Sequence, residues 1–282
     1  MSVMTDSYAA QRVVTRSVIY IFLLIVAFCM LVPFAWMLSS SLKLNRDVFA
    51  YPMQWIPEAP RWANYADIWT RIPLLRFAWN TLKLSVIVTF LQLISSSFAA
   101  YAFSKLRFPG RRSLFLGYIA TIAVPWQAYM VPQFIMMRSM GLNNTHLSII
   151  FLQAFSAFGV FMMKQFYDSI PDELREAAYI DGLSEYGIWL RIMLPLSKPA
   201  LSTLAIITFV NTWNDFLGPL IYLTRTELKT IQIGLRAFIS QFSSEYGLIM
   251  AASVVALIPV LIVFLSLQRY FVQGIASSGI KG

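Results

Sequence analysis

Hydrophobic positions along the chain gather into six long runs, at about 18–39, 78–103, 114–137, 147–166, 200–223 and 247–270. A helix crosses hydrocarbon in about 20 apolar residues, so each run predicts one membrane span. A surface helix of a soluble protein would instead carry charges on its wet face every turn or two. The first run, VIYIFLLIVAFCMLVPFAWMLS, follows Arg12 and Arg16. It is longer than the roughly 7–15-residue apolar core of a signal peptide, and no A-x-A cleavage site follows. The pattern favours a retained anchor over a cleaved leader. The expected architecture is an all-α, polytopic bundle of six transmembrane helices, with 1–17 a short N-terminal segment and 18–282 one membrane domain.

Composition supports this reading and removes others. Of 282 residues, 58% are hydrophobic and only 12% charged, against about a quarter charged in soluble domains. There is one cysteine, Cys29, and one histidine, His146. An internal disulfide framework, a multi-cysteine metal cluster and a HExxH zinc site are therefore excluded. No metal ligands and no catalytic residues are expected, and the chain does not read as an enzyme. Cys29 reads as a small core residue and His146 as a loop residue near a helix start. The net charge of +9 would suit nucleic acid, but the basic residues lie between apolar runs, where membrane topology explains them.

Lys105, Arg107, Arg111 and Arg112 crowd the tight loop SKLRFPGRR without an acid. Short loops rich in Lys and Arg stay in the cytoplasm. This loop, both termini and 167–199 are therefore expected inside, and 40–77, 138–146 and 224–246 outside. The margin is 12 Lys/Arg inside against nine outside, with Lys83 within the second run. The outside stretch 40–77 carries Tyr51, Pro52, Trp55, Pro57, Pro60 and Trp62. It reads as an irregular lid at the membrane surface, either an interfacial aromatic belt or a docking loop.

The connector 168–199, DSIPDELREAAYIDGLSEYGIWLRIMLPLSKP, is too long and too patterned to be passive. Ser169 and Asp172 suggest an N-terminal cap, with Pro171 in the first turn. Leu174, Ala177, Ala178 and Asp181 share a face at i, i+3, i+4, i+7. Gly182 suits the left-handed residue that ends a helix. Ser184 can cap a second short helix, which Pro195 is expected to stop. Small Ala177 and Ala178 would let a foreign backbone approach, while Glu176 and Asp181 set register. An amphipathic hairpin lying on lipid is the alternative. Six acids in the loop oppose it, because anionic membranes attract basic segments.

Glu176-Ala177-Ala178, three residues, Gly182, nine residues, then Ile192-x-Leu194-Pro195 resembles the EAA loop of bacterial ABC importer permeases. NTLKLSVIV, GLNNTHLSII, KQFYDSIPDELREAAYIDG, TWNDFLGPLIYL, YGLIMAAS and QRYFVQGIASSGIKG extend the resemblance to the smaller permease subunit of the maltose-type carbohydrate importers. The resemblance implies the type I importer fold and a place in a bacterial cytoplasmic (inner) membrane. It implies a heterodimer with a second permease, two ATP-binding cassette ATPase subunits and an extracytoplasmic solute-binding protein. Glu176, Ala177, Ala178, Asp181, Gly182, Ile192, Leu194 and Pro195 would then couple to the ATPase. Within the tail 271–282, about Gly274–Gly282 would reach the ATPase interface, its small residues suiting an extended insertion; ordinary disorder is the alternative. The chain has no G-x-x-x-x-G-K-[ST] phosphate loop, so it would bind no cofactor, and ATP and Mg would be used by the partner ATPase subunits.

Polar residues inside a span must face protein or a water-filled cavity. Asn211, Asn214 and Asp215 fall at i, i+3, i+4 in the fifth run, beside Trp213. Gly218-Pro219 is expected to kink or break that helix. In the third run Gln127 and Tyr129 join Pro125, Trp126 and Pro132 in a kinked polar-aromatic patch. These residues suit a sugar path; a structural contact between two permeases is the other reading. In the second run Gln92 stands with Ser95, Ser96 and Ser97 beside Ala99 and Ala100; the small residues suit close helix packing, with pore lining as the other reading. The leading function is thus an ATP-driven carbohydrate permease. A permease for glycerol phosphate or a sugar alcohol is the first rival, and an ion-coupled secondary transporter the second. The latter would need intramembrane ionisable residues, and only Asp215 lies well inside a run.

Overall fold

The computed structural model describes the backbone at residues 2–239 and 245–278, and side chains at 14–239 and 245–269. Among the described residues, regular structure is helical. In order the helices are α1 (Ser2–Ser41), α2 (Ala63–Arg71), α3 (Leu74–Lys105), α4 (Arg111–Ala120), α5 (Trp126–Ser139), α6 (His146–Gln153) and α7 (Ala157–Asp168). There follow α8 (Glu173–Ile180), α9 (Glu185–Ile188), α10 (Leu194–Leu196), α11 (Lys198–Trp213), α12 (Leu217–Tyr222), α13 (Ile231–Arg236) and α14 (Tyr246–Ser278). By length and composition, Val14–Ser41, Leu74–Lys105, His146–Asp168 and Tyr246–Arg269 can each cross a membrane. Arg111–Ala123 with Trp126–Ser139, bent by 102°, and Glu185–Leu196 with Lys198–Trp213, bent by 79°, bring the number of possible spans to six.

The chain divides into two compact units. One comprises Met1–Arg71 with Phe238–Val255. Within it α1 is apolar and largely exposed from Val14 to Leu38, and buried at Ser40 and Ser41. Cys29 lies on that exposed surface, which corrects its expected place in a core. The stretch after α1 is more ordered than a simple lid, because it closes on a buried polar centre. Asn64 Nδ2 donates to the carbonyls of Ser41 (2.8 Å) and Lys43 (2.9 Å). Lys43 donates to the Gln54 carbonyl and sits 4.1 Å from the Trp36 ring centroid.

The second unit comprises Ile72–Ala237 with Ala256–Gly282. Its central rod is α3, packed against α7 and α11. At 1.5 Å per residue, 32 residues span about 48 Å, well beyond a hydrocarbon core of about 30 Å. Small residues let its neighbours close in. Ser96 and Ser97 are fully buried, and a Cβ on Gly159 of α7 would strike the Ser96 side chain. Packing, as expected for Ser95–Ser97, is therefore their role; Ser95 Oγ also donates to the Ala154 carbonyl at 2.7 Å.

The breaks depart from the expected spans. Val124 takes an extended conformation before Pro125, as the proline ring demands of its predecessor. The third run is therefore two helices joined by a sharp bend. The fifth run is not one span over 200–223. Helix α11 stops at Trp213, and the chain turns through Asn214–Phe216 before α12. Gly218-Pro219 does not make this break. Both residues lie in the first turn of α12, where a missing N–H leaves no helix bond unmade. In α14 the backbone of 271–278 continues the helix and is not extended; the tail residues 279–282 lie outside the described residues.

Candidate functional site

The connector folds as two short helices about a glycine, and the end of α3 fastens it. Ser97, Phe98, Tyr101, Ser104 and Lys105 recur with helical spacing on one face of α3. Lys105, its side chain 4% exposed, donates from Nζ to the Ile170 carbonyl and to Asp172 Oδ1, each at 2.6 Å. Ser104 Oγ donates to Asp168 Oδ1 at 2.7 Å. Tyr101 donates its hydroxyl to Glu185, and the Arg175 guanidinium grips the same carboxylate. Trp189 Nε1 donates to Ser97 Oγ at 2.9 Å, and Phe98 stacks on Tyr186. Lys105's hydrogen bond holds the Asp172 carboxyl below its ordinary value. Burial pushes Glu185 up, but the bonds from Arg175 and Tyr101 outweigh it, so the carboxyl lies below the usual glutamate value.

This fastening redistributes the expected roles. Asp172 occupies the cap position of α8 but spends its carboxylate on Lys105, and Ser169 Oγ donates back to the Phe166 carbonyl. Ser169 therefore does not cap. Ser184 does cap α9, accepting from Gly187 N at 3.3 Å. Pro195 does not end the segment. A π-helical turn, Trp189–Met193, leads into α10, and the chain bends after Leu196. Ala178 is 4% exposed and belongs to the chain's own core with Tyr101, Tyr167, Ile188 and Met193. It is not open to a foreign backbone. Ile192 packs partly against that core, and Leu194 is half-buried.

What remains outward is a compact knuckle. Glu176, Ala177, Asp181 and Gly182 are exposed, as is Pro195. Leu174, Tyr179 and Ile180 join them, Ile180 being 84% exposed. Sequence reasoning missed Tyr179 and Ile180, although two bulky apolar residues just before the terminating glycine were a usable signal. Gly182 has φ +84°, the left-handed conformation that lets α8 stop and the chain double back.

The second feature is a pair of adjoining cavities of about 350 and 310 Å³ that share Gln153 and Asn211. The larger lies between α5, the α6–α7 break and the α11–α12 break. Trp126, Tyr129 and Tyr222 supply ring surface, and Gln133, Gln153, Asn211 and Asp215 supply polar atoms. The smaller reaches Gln92 on α3. Gln153 ties the two breaks together. Its Nε2 donates to Asp215 Oδ2 at 2.7 Å, and its Oε1 accepts from Thr212 Oγ1 at 3.0 Å. Asp215 Oδ1 accepts from Gly218 N at 3.1 Å, pairing an amide of the first turn of α12. Gln133 accepts from Trp126 Nε1 at 2.8 Å.

Of the residues expected in the path, Asn211, Asp215 and Tyr129 line the cavity. Trp213 does not. It is 1% exposed, stacked on Phe209, and donates Nε1 to the Ala256 carbonyl at 3.0 Å. Asn214 is the cap residue at the end of α11 and does not line the cavity; it accepts from Gln232 at 3.1 Å. Gln127 is exposed away from the cavity. His146 begins α6 and donates from Nε2 to the Leu228 carbonyl at 2.9 Å, which makes it a tether and not a loop residue. Gln133 and Gln153 were overlooked because each lies in a run that reads as apolar.

An all-helical chain with a long central rod, an interrupted polar span and a strapped connector knuckle has the form of a multi-pass transport permease. Residues 92–277 match the family described as binding-protein-dependent transport system inner membrane component, and the chain belongs to that family. It is 35% identical over 221 residues to the arabinooligosaccharides transport system permease protein AraQ of Halalkalibacterium halodurans, covering 78% of this chain and 79% of that one. It is 33% identical to the lactose transport system permease protein LacG of Rhizobium radiobacter, over 92% and 94% of the two chains. A crystal structure of a bacterial ABC transporter involved in import of the acidic polysaccharide alginate superposes with a TM-score of 0.80 at 27% identity, covering 90% of this chain and 95% of that one.

Proposed function

We propose that the chain is the membrane subunit of an ATP-driven importer for sugars or oligosaccharides, forming half of the translocation path. The observation that carries this reading is the knuckle. Exposed Tyr179 and Ile180 flanked by Glu176 and Asp181 fit an apolar groove with a basic rim on a separate ATPase. Because the connector is strapped to α3, motion of that groove moves the bundle's central rod. The partners are a second, different permease, two ATPase subunits that use ATP and Mg, and an extracytoplasmic solute-binding protein. Both termini and the knuckle lie in the cytoplasm.

The cavity supports the carbohydrate reading. Amide and carboxylate groups exchange hydrogen bonds with hydroxyls, and Trp126 and Tyr129 offer apolar faces for sugar rings, while Tyr222 closes the wall from the core. Relatives named for arabinooligosaccharides, lactose and melibiose, raffinose and stachyose point the same way. Reconstitution of the complete transporter tests it: uptake of such sugars should require ATP and survive proton and sodium ionophores. Uptake abolished by ionophores while ATP is present would overturn it.

A further inference from the structure

Asp215 is the only acid among the described residues lining the two cavities, and neither lysine nor arginine lines them. Both of its oxygens act as acceptors, Oδ1 from the Gly218 amide and Oδ2 from Gln153, which fits the ionised carboxylate. Both donors are neutral, so the negative charge is held in place without being cancelled. It is also fixed in position: a Cβ on Gly218 would come within 2.5 Å of Oδ2. In a low-dielectric surround an uncompensated charge acts over a longer range than in water.

We propose that Asp215 makes this stretch of the path an anion barrier, which admits uncharged, hydroxyl-rich solutes and turns back solutes bearing carboxylate or phosphate. The inference rests on the cavity being the translocation path. The fold does not dictate the sign, since the structural neighbour serves an acidic polysaccharide. What sets it here is one side chain and the lack of a countercharge among the described lining residues. Among the rivals for substrate, a neutral sugar or sugar alcohol is therefore favoured over glycerol phosphate.

The test uses thiol-specific methanethiosulfonates of opposite charge on the assembled transporter in membrane vesicles, with Cys29→Ser as background and Asn211→Cys as reporter. Modification of this chain is followed by mass, at rest and in the ATP-trapped state. Relative to a free thiol in solution, the reporter should react faster with the trimethylammonium reagent than with the sulfonate, by about tenfold or more. Asp215→Asn should bring that bias within about twofold, and Asp215→Glu should keep it, which separates charge from folding. A bias that is absent with Asp215 in place, or that persists in Asp215→Asn, would overturn the barrier. Modification by neither reagent in either state would overturn the path reading, and the barrier with it.

Discussion

Gln153 Nε2 and Asp215 Oδ2 lie 2.7 Å apart, and this bond joins two helix interruptions that are 62 residues apart in the chain. Thr212 completes the bridge through the other end of the same amide. Replacing Gln153 with leucine strips a donor from the carboxylate and an acceptor from the hydroxyl. Leaving such groups unpaired costs roughly 1–3 kcal/mol. Gln153→Leu should therefore lower the apparent thermal midpoint of the purified complex by several degrees and slow uptake. An unchanged midpoint and rate would show the bridge to be idle.

The strap predicts uncoupling. Glu185→Gln weakens the grip of Arg175 and Tyr101 without removing bulk. The variant should insert and assemble normally but transport fewer molecules per ATP hydrolysed. Exchanging the charges, Arg175→Glu with Glu185→Arg, should recover part of the ratio. Equal loss of hydrolysis and uptake would assign these residues to folding instead.

The carboxyls of Asp172 and Glu185 lie below their ordinary values. A depressed carboxyl contributes stability above its unfolded value and loses it as pH falls through the folded one. The strap should thus be complete at neutral pH and throughout pH 6–8, and fail only below about 4.5. Protease protection of 168–197 should be flat across the upper window and decline below it. In Glu185→Gln the part of that decline due to residue 185 should vanish. Loss of protection between pH 8 and 6 would contradict this.

A Cβ at Gly182 would meet nothing within 4 Å, but φ is +84°. Gly182→Ala should therefore cost only the left-handed backbone penalty, about 1–2 kcal/mol. Gly182→Trp should add obstruction of the partner's groove. Comparison of the two by co-purification of the ATPase separates backbone strain from docking: alanine should retain the partner and tryptophan lose it. Equal retention would contradict a docking role at this position.

Much of this was legible in the sequence because lipid leaves so few choices. Backbone groups must pair internally, so apolar runs became helices, and Gly182 and Ser184 mark the connector's turn and second cap. What the pattern missed depends on contacts between elements. Ala178 is as small as Ala177, but only the packing of Ile188 and Met193 turns it inward. Asn214 fits an ideal helical face, yet it stands at the cap of α11 and its side-chain oxygen is taken by Gln232. Trp213 looked like a ring for sugar until the Ala256 carbonyl took its N–H. Gln133 and Gln153 are single amides in apolar runs, and only the meeting of the breaks makes them a site.

The most direct measurement is capture from the knuckle's tip in cells. Ile180→Cys, in a Cys29→Ser background, carries a photoreactive maleimide on a residue 84% exposed. Crosslinking should trap a nucleotide-hydrolysing subunit, and a membrane-impermeant thiol reagent added outside should fail to block it. Crosslinks that never contain such a subunit, or a position 180 that the external reagent labels in intact cells, would contradict the coupling of this permease to a cytoplasmic motor.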